Sequence, residues 1–171
     1  MKRFIRAAAF LLLSAFLLTA CGKASYKEES GKAEEAAKTT FNEKRKKPNN
    51  KTEGIDFYLP FGFEIKDESP NNIILKNGSK TYILFYNSNE DINSKVVYNA
   101  SVAQYEKLET NKQFNGKDKL GFLLVERLDS DMNILTAGVG GVKITTETKT
   151  GNLAEDATAM MKIANSAKIK K

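Results

Sequence analysis

Hydrophobic and polar positions change rhythm several times along the chain, and each change predicts an element. Residues 7–18, from Ala7 to Leu18, form an uncharged apolar run behind the cationic head Met1-Lys2-Arg3-Phe4-Ile5-Arg6. From Gly22 to about Glu53 large apolar residues are scarce and Lys, Glu, Ala, Asn and Ser dominate. A stretch of that kind buries too little surface to offset its ordering entropy, so a polar tether is expected. Within it Ala33-Glu34-Glu35-Ala36-Ala37-Lys38 are good helix formers, with Glu34 four residues before Lys38, which predicts a frayed helix ended ahead of Lys47-Pro48-Asn49-Asn50.

The pattern of a folded domain begins near Gly54. Ile55 to Leu59 alternate as a short strand, Pro60-Phe61-Gly62 turns the chain, Phe63 to Lys66 reads as a second strand, and Ser69-Pro70-Asn71-Asn72 turns it again. Ile73 to Lys76 and Ser79 to Tyr86 flank Asn77-Gly78, the dipeptide that suits a type I′ turn, so a β-hairpin is expected with Ile73 opposite Tyr82. One face of that hairpin carries Ile73, Leu75, Tyr82, Leu84 and Tyr86, the other Ile74, Ile83 and Phe85. Apolar character on both faces argues for layers on both sides.

Ser94 to Glu109 places Tyr98, Val102, Tyr105 and Leu108 at roughly helical spacing, although the β-branched pair Val96-Val97 leaves a strand open. Lys119 to Leu128, Asn133 to Gly138 and Gly141 to Glu147 read as three successive strands. Finally, Leu153, Ala157, Met160, Met161, Ala164 and Ala167 recur at helical spacing, with Asn152 as cap, Glu155 three residues on, and lysines gathered at the end where they suit the dipole. Strands, helix, strands and a terminal helix make an α+β domain with a mainly antiparallel sheet and helices packed on it, an α/β/α sandwich. The expected division is a leader over 1–20, a tether over 21–53 and one domain over 54–171.

The N-terminal layout is that of a secretory signal peptide. Its apolar run is too short to serve as a span, which takes roughly 20 residues. The segment ends Leu18-Thr19-Ala20-Cys21-Gly22, and this resembles the lipobox of bacterial lipoproteins. The resemblance implies cleavage between Ala20 and Cys21, a diacylglycerol on the Cys21 sulfur, and a protein held at the extracytoplasmic face of the cell membrane. Two acyl chains give stable attachment, at about 0.8 kcal/mol per buried CH₂. Cys21 is the single cysteine, so no intrachain disulfide can form; a free thiol beside a cleaved leader is the alternative.

Charge and composition then narrow the function classes. Lys and Arg number 27 against 21 acidic residues, and once Lys2, Arg3 and Arg6 leave with the leader the excess is +3. Nucleic acid is not an expected partner, because binding it calls for a dense basic face and the lysines here alternate with glutamates. Histidine is absent, which removes Ser-His-Asp and Cys-His catalysis and His-based zinc sites. No metal and no cofactor is implied.

The element order and three short motifs resemble the PsbP-like group of exported α/β/α domains, over about Gly54 to Lys171. The motifs are Leu59-Pro60-Phe61-Gly62-Phe63 at the start, the central hairpin, and Met161-Lys162-Ile163-Ala164-Asn165-Ser166-Ala167 at the close. Similar closing patterns occur in lipoprotein domains of spore-forming bacteria. The resemblance implies a non-enzymatic accessory or binding domain and transfers no catalytic residue.

Asp129-Ser130-Asp131-Met132-Asn133 has the opening spacing of a calcium loop, but Ile134 and Gly140 stand where such a loop needs Gly and Glu, so a polar turn is expected. Ala137-Gly138-Val139-Gly140-Gly141 precedes a strand and lacks the Lys-Ser/Thr of a phosphate loop; a bulge is expected. Glu64, Asp67, Glu126 and Asp129 could pair for glycoside hydrolysis only if the fold joined them. Phe57, Tyr58, Phe61 and Phe63 are assigned to the core in preference to a groove.

The expected role is a non-enzymatic interaction or binding module that meets an envelope protein or ligand. A carrier of an apolar or lipid ligand is the alternative, with its cavity between Tyr82, Leu84 and the terminal-helix methionines. An envelope hydrolase comes last.

Overall fold

The chain's β-forming segments fold back on one another through short turns, of two residues at Pro70-Asn71, Gly78-Ser79 and Gly140-Gly141, and two such meanders join into one sheet. A computed structural model describes residues 25–170. The first meander is β3 (Phe63–Ser69), β4 (Asn72–Asn77) and β5 (Lys80–Tyr86); the second is β6 (Thr110–Asn115), β7 (Leu120–Arg127), β8 (Met132–Val139) and β9 (Val142–Lys149). Antiparallel pairing of β5 with β9 gives a seven-stranded sheet in the order β3-β4-β5-β9-β8-β7-β6. A small second sheet, β1-β2-β10, is made from β1 (Asn50–Lys51), β2 (Ile55–Phe57) and β10 (Lys168–Ile169).

Helices lie on both faces. One face, carrying Ile73, Leu75, Tyr82, Leu84, Leu123, Val125, Leu135 and Ile144, is buried beneath α1 (Tyr26–Asn42) and α3 (Leu153–Ser166). On the other face Phe122 and Leu124 pack against Val97 and Tyr98 of the short α2 (Val96–Val102). The expected α+β class, with helices packed on an antiparallel sheet, is the one observed.

The stretch from 26 to 53 is not a tether. Helix α1 buries Ala33, Ala37 and Phe41 in the main core, and Asn50-Lys51 pairs with Phe57 and Asp56. Alanine adds little to an apolar tally, yet on a helix it lets a neighbouring axis come close. Phe41 also lies over Gly121, where an added Cβ would come within 2.6 Å of its ring. The folded unit therefore begins near Tyr26 instead of Gly54.

Other boundaries moved for local reasons. The hairpin turns on Gly78-Ser79, with Asn77 opposite Lys80 and Gly78 at φ 58°, the glycine-first pattern of a type II′ turn. Asn77 serves as a strand residue because β3 pairs Phe63 with it. Ile73 accordingly faces Leu84, and Leu75 faces Tyr82; the faces stay as expected because the partners moved by two. The predicted helix from Ser94 ends at Val102, and Tyr105 and Leu108 reach the α2-side core from irregular chain. Helix α3 is preceded by a 3₁₀ turn (Thr150–Asn152), so Asn152 has helical dihedrals and makes no side-chain cap. No lysine lies in its last turn, since Lys168-Ile169 leaves the helix to pair with Asp56 and Ile55. The expected glycine bulge is absent: β8 pairs β7 and β9 in unbroken register through Gly138, and the irregularity lies in β3 between Ile65 and Asp67.

Candidate binding groove

Second-face cover is incomplete. Along β5, Tyr82, Leu84 and Tyr86 are buried, whereas Thr81 and Ile83 on the opposite side face outward, Ile83 with 45% of its surface exposed. Helix α2 covers the β6–β7 side of this face and stops short of β4, because its seven residues make only about two turns. Its weak length follows from Val96, Val97, Asn99, Ser101 and Val102, none a strong helix former. Between α2 and β5–β9 lies a cavity of about 440 Å³ lined by Ile83, Phe85, Val96, Val97, Ala100 and Lys143, with Asn72, Asn87, Gln104 and Thr145 as its polar rim. Val96, 50% exposed, forms part of the wall. A second, larger depression of about 690 Å³ adjoins it at Ile83 and Thr145 and runs toward Ile134 and Lys149.

Lys143 rises from β9 into the first cavity. Its ammonium donates to Ser101 Oγ at 3.1 Å and Gln104 Oε1 at 3.2 Å, and sits 5.8 Å from the Phe85 ring centroid. Burial pushes its pKa below the ordinary lysine value.

Two other polar clusters have evident structural tasks. Asp156 on α3 is buried and accepts from Tyr82 Oη at 2.7 Å, Lys80 Nζ at 2.6 Å and Thr148 Oγ1, which ties the helix to β5 and β9. Burial, then the adjoining carboxylate, raise the Tyr82 phenol well above its usual range. At the other end, Arg45 donates to Asn165 O at 2.7 Å and Ala167 O at 2.6 Å, while Lys119 donates to Phe41 O and to Asn165 Oδ1 at 2.9 Å. The C-terminal carbonyls of α1 and α3 meet here, and two cations from outside both helices cap them. Burial pushes both cations' pKa values down, and Arg45 adds to the shift at Lys119.

The residues singled out from sequence are dispersed. Ala20 and Cys21 lie outside the described residues. Asp129 makes a polar turn, its Oδ1 accepting from Asp131 N and Met132 N at 2.8 Å each. Gly140-Gly141 closes the β8–β9 hairpin between two strands, with Asp91 and Ile92 backbone pressed on Gly140, and does not lead into a helix as a phosphate loop would. Glu64 and Asp67 sit on β3 and Glu126 on β7, five strands away or about 24 Å, with Asp129 just beyond β7, so the fold does not join the two pairs. Phe57 is core, Tyr58 and Phe63 are partly buried, and Phe61 stands fully exposed at the tip of its turn, contrary to its assignment to the core. Tyr82, Leu84, Met160 and Met161 are buried in one continuous cluster, so the space expected for a carrier cavity is packed. The groove at Lys143 leaves little trace in the sequence beyond the second apolar face of the hairpin, Ile83 and Phe85.

No protein family matches the chain, and no curated protein does. Among solved structures, a crystal structure from Bacteroides thetaiotaomicron VPI-5482 is similar over 68% of this chain and 45% of that one, with 8% identity and a TM-score of 0.33.

Proposed function

We infer that the protein is a lipid-anchored extracytoplasmic lipoprotein whose domain acts as a non-enzymatic binding module at the cell envelope, with the open α2-side face as its binding surface. One observation carries the reading: Ile83 on β5 and Val96 on α2 present apolar surface beside the half-covered face of the sheet, whereas the opposite face buries Ile73, Leu75, Leu84 and Ile144 completely. With Ile83 45% and Val96 50% exposed, covering the remainder would recover about half of the ~1.5–3 kcal/mol that full burial of such a side chain is worth, a gain a partner would supply. The anchor rests on the Leu18-Thr19-Ala20-Cys21 segment. Among the described residues no helix is long and apolar enough to cross a membrane.

An anchor at Cys21 lies only five positions before Tyr26, where α1 starts. Even fully extended, that link spans no more than about 18 Å, so the domain would be held near the bilayer surface and not at the end of a long leash.

A photo-crosslinking residue at Val96 on intact cells tests the surface, with the outer face of α1 at Glu35 as control. A discrete adduct at 96 without one at 35 is the expected result; equal adducts at both, or none at 96, would remove this face from consideration.

A further inference from the structure

We propose that the groove beside α2 binds an amphipathic carboxylate, an acyl chain ending in a carboxylate, with its anion on the Lys143 ammonium and its hydrocarbon against Ile83, Phe85, Val96 and Ala100. The proposal rests on reading this face as a binding surface and names what enters it.

The charge arrangement points to an anion. Lys80, Lys107, Lys112 and Lys170 each lie within 4 Å of a carboxylate, on Asp156, Glu109, Glu34 and Asp56. Lys119, which packs on the Phe41 ring, is occupied in capping helix ends. Lys143 instead meets two neutral acceptors, Ser101 and Gln104, which use two of its three protons. Among the described residues no Asp or Glu lines the cavity. A half-buried ammonium bonded to neutral oxygens has lost water without gaining a countercharge, and an incoming carboxylate supplies one. The downward pull of burial on Lys143 is the same penalty seen from the proton's side.

What surrounds the cation decides the rest of the ligand. Among the described residues Lys143 is the sole cation in the lining, which suits a single negative charge better than a doubly charged phosphate. The other walls are aliphatic or aromatic, and about 440 Å³ lies within the range of small-molecule sites. A free carboxylate with a short apolar chain matches both halves.

Octanoate carrying a terminal diazirine is the probe, applied to the full chain in isolated membranes, with adducts mapped by mass spectrometry. Adducts should concentrate on the groove residues and be displaced by octanoate but not by equal octylammonium or octanol. Lys143→Met should cut labelling roughly tenfold, the equivalent of one charge-assisted hydrogen bond, while a diazirine-bearing octanol still labels. Because Lys143 is half-buried, a second variant guards against misfolding: Val96→Asp, on an exposed position, should suppress the carboxylate probe as well. Labelling spread over the surface, displacement by octanol equal to that by octanoate, or undiminished labelling of Lys143→Met would overturn the proposal. If Val96 crosslinks on cells while octanoate leaves the groove unlabelled, the surface stands and the acyl ligand falls. Groove labelling without any cellular adduct at Val96 supports the ligand chemistry and removes the cell-surface reading.

Discussion

Asp156 gathers three donors from two strands in a place with almost no access to water. Replacing it with Ala leaves the Tyr82 hydroxyl buried without an acceptor and Lys80 without its countercharge. Since Lys80 keeps a quarter of its side-chain surface exposed, the loss should be about 2–4 kcal/mol, somewhat below that of a fully buried pair, and read as a lower urea midpoint. Tyr82 makes the same site sensitive to alkali. The unfolded chain releases a phenolic proton near pH 10, the folded chain only at higher pH, so above about 10 deprotonation favours the unfolded state. Stability linked to Tyr82 is whole below that pH and drains away above it. The stability difference between wild type and Tyr82→Phe should therefore shrink between about pH 10 and 11.5 in urea titrations; a constant difference would show that the phenol is not held in its protonated form. Gly140 is the other sensitive position: it has φ 54°, and an added Cβ would lie 2.4 Å from Asp91 O and Ile92 Cα. Gly140→Ala should cost more than the ~1 kcal/mol of an ordinary helix or strand glycine, because backbone must move as well.

At the scale of elements, α1 changes what the N-terminal third of the domain is. A polar tether would be open to trypsin at Lys27, Lys32 and Lys38; a docked helix is not. Limited trypsin treatment should leave residues 26–42 intact until the whole domain unfolds, and early cuts there would return the segment to a tether. Phe41→Ala should destabilise the domain by about 3–5 kcal/mol, since Phe41 packs on Phe114 with ring centroids 5.9 Å apart, covers Gly121, and supports the Lys119 ammonium. The same helix explains why Arg45 and Lys119 matter beyond their charge. Each comes from outside the helix it caps, so neither is visible as a basic residue in a last turn.

For the molecule as a whole, the proposed anchor and the fold make separable claims. Cys21→Ser should move the protein from the membrane fraction into the medium or leave it with an uncleaved leader, and its unfolding midpoint should not change. Continued membrane retention with normal cleavage would mean that something other than lipid on Cys21 holds it. The two sheet faces divide the labour: α1 and α3 close one over a packed core, and α2 closes half of the other.

Local pattern alone determined a good deal. The terminal helix, the central hairpin, strands β7 to β9 and the α+β class follow from periodicity and turn residues, because side chains must alternate on a strand and recur on a helix face. Strand β6 was illegible, since Thr110-Asn111-Lys112-Gln113-Phe114-Asn115 alternates weakly and is held by its ladder to β7 more than by its own burial. The docking of helix α1 is not legible, because the frayed helix predicted around Ala33–Lys38 becomes part of the core only through contacts of Ala33, Ala37 and Phe41 with distant segments, among them α3, Phe114 and Gly121. Tertiary structure alone decided that Glu64 and Glu126 stay far apart, that Arg45 and Lys119 cap two helix ends, and that Lys143 shares a cavity with Ile83 and Val96. Such sites join residues distant in the chain, and no local pattern encodes which strands a crossover will bring side by side.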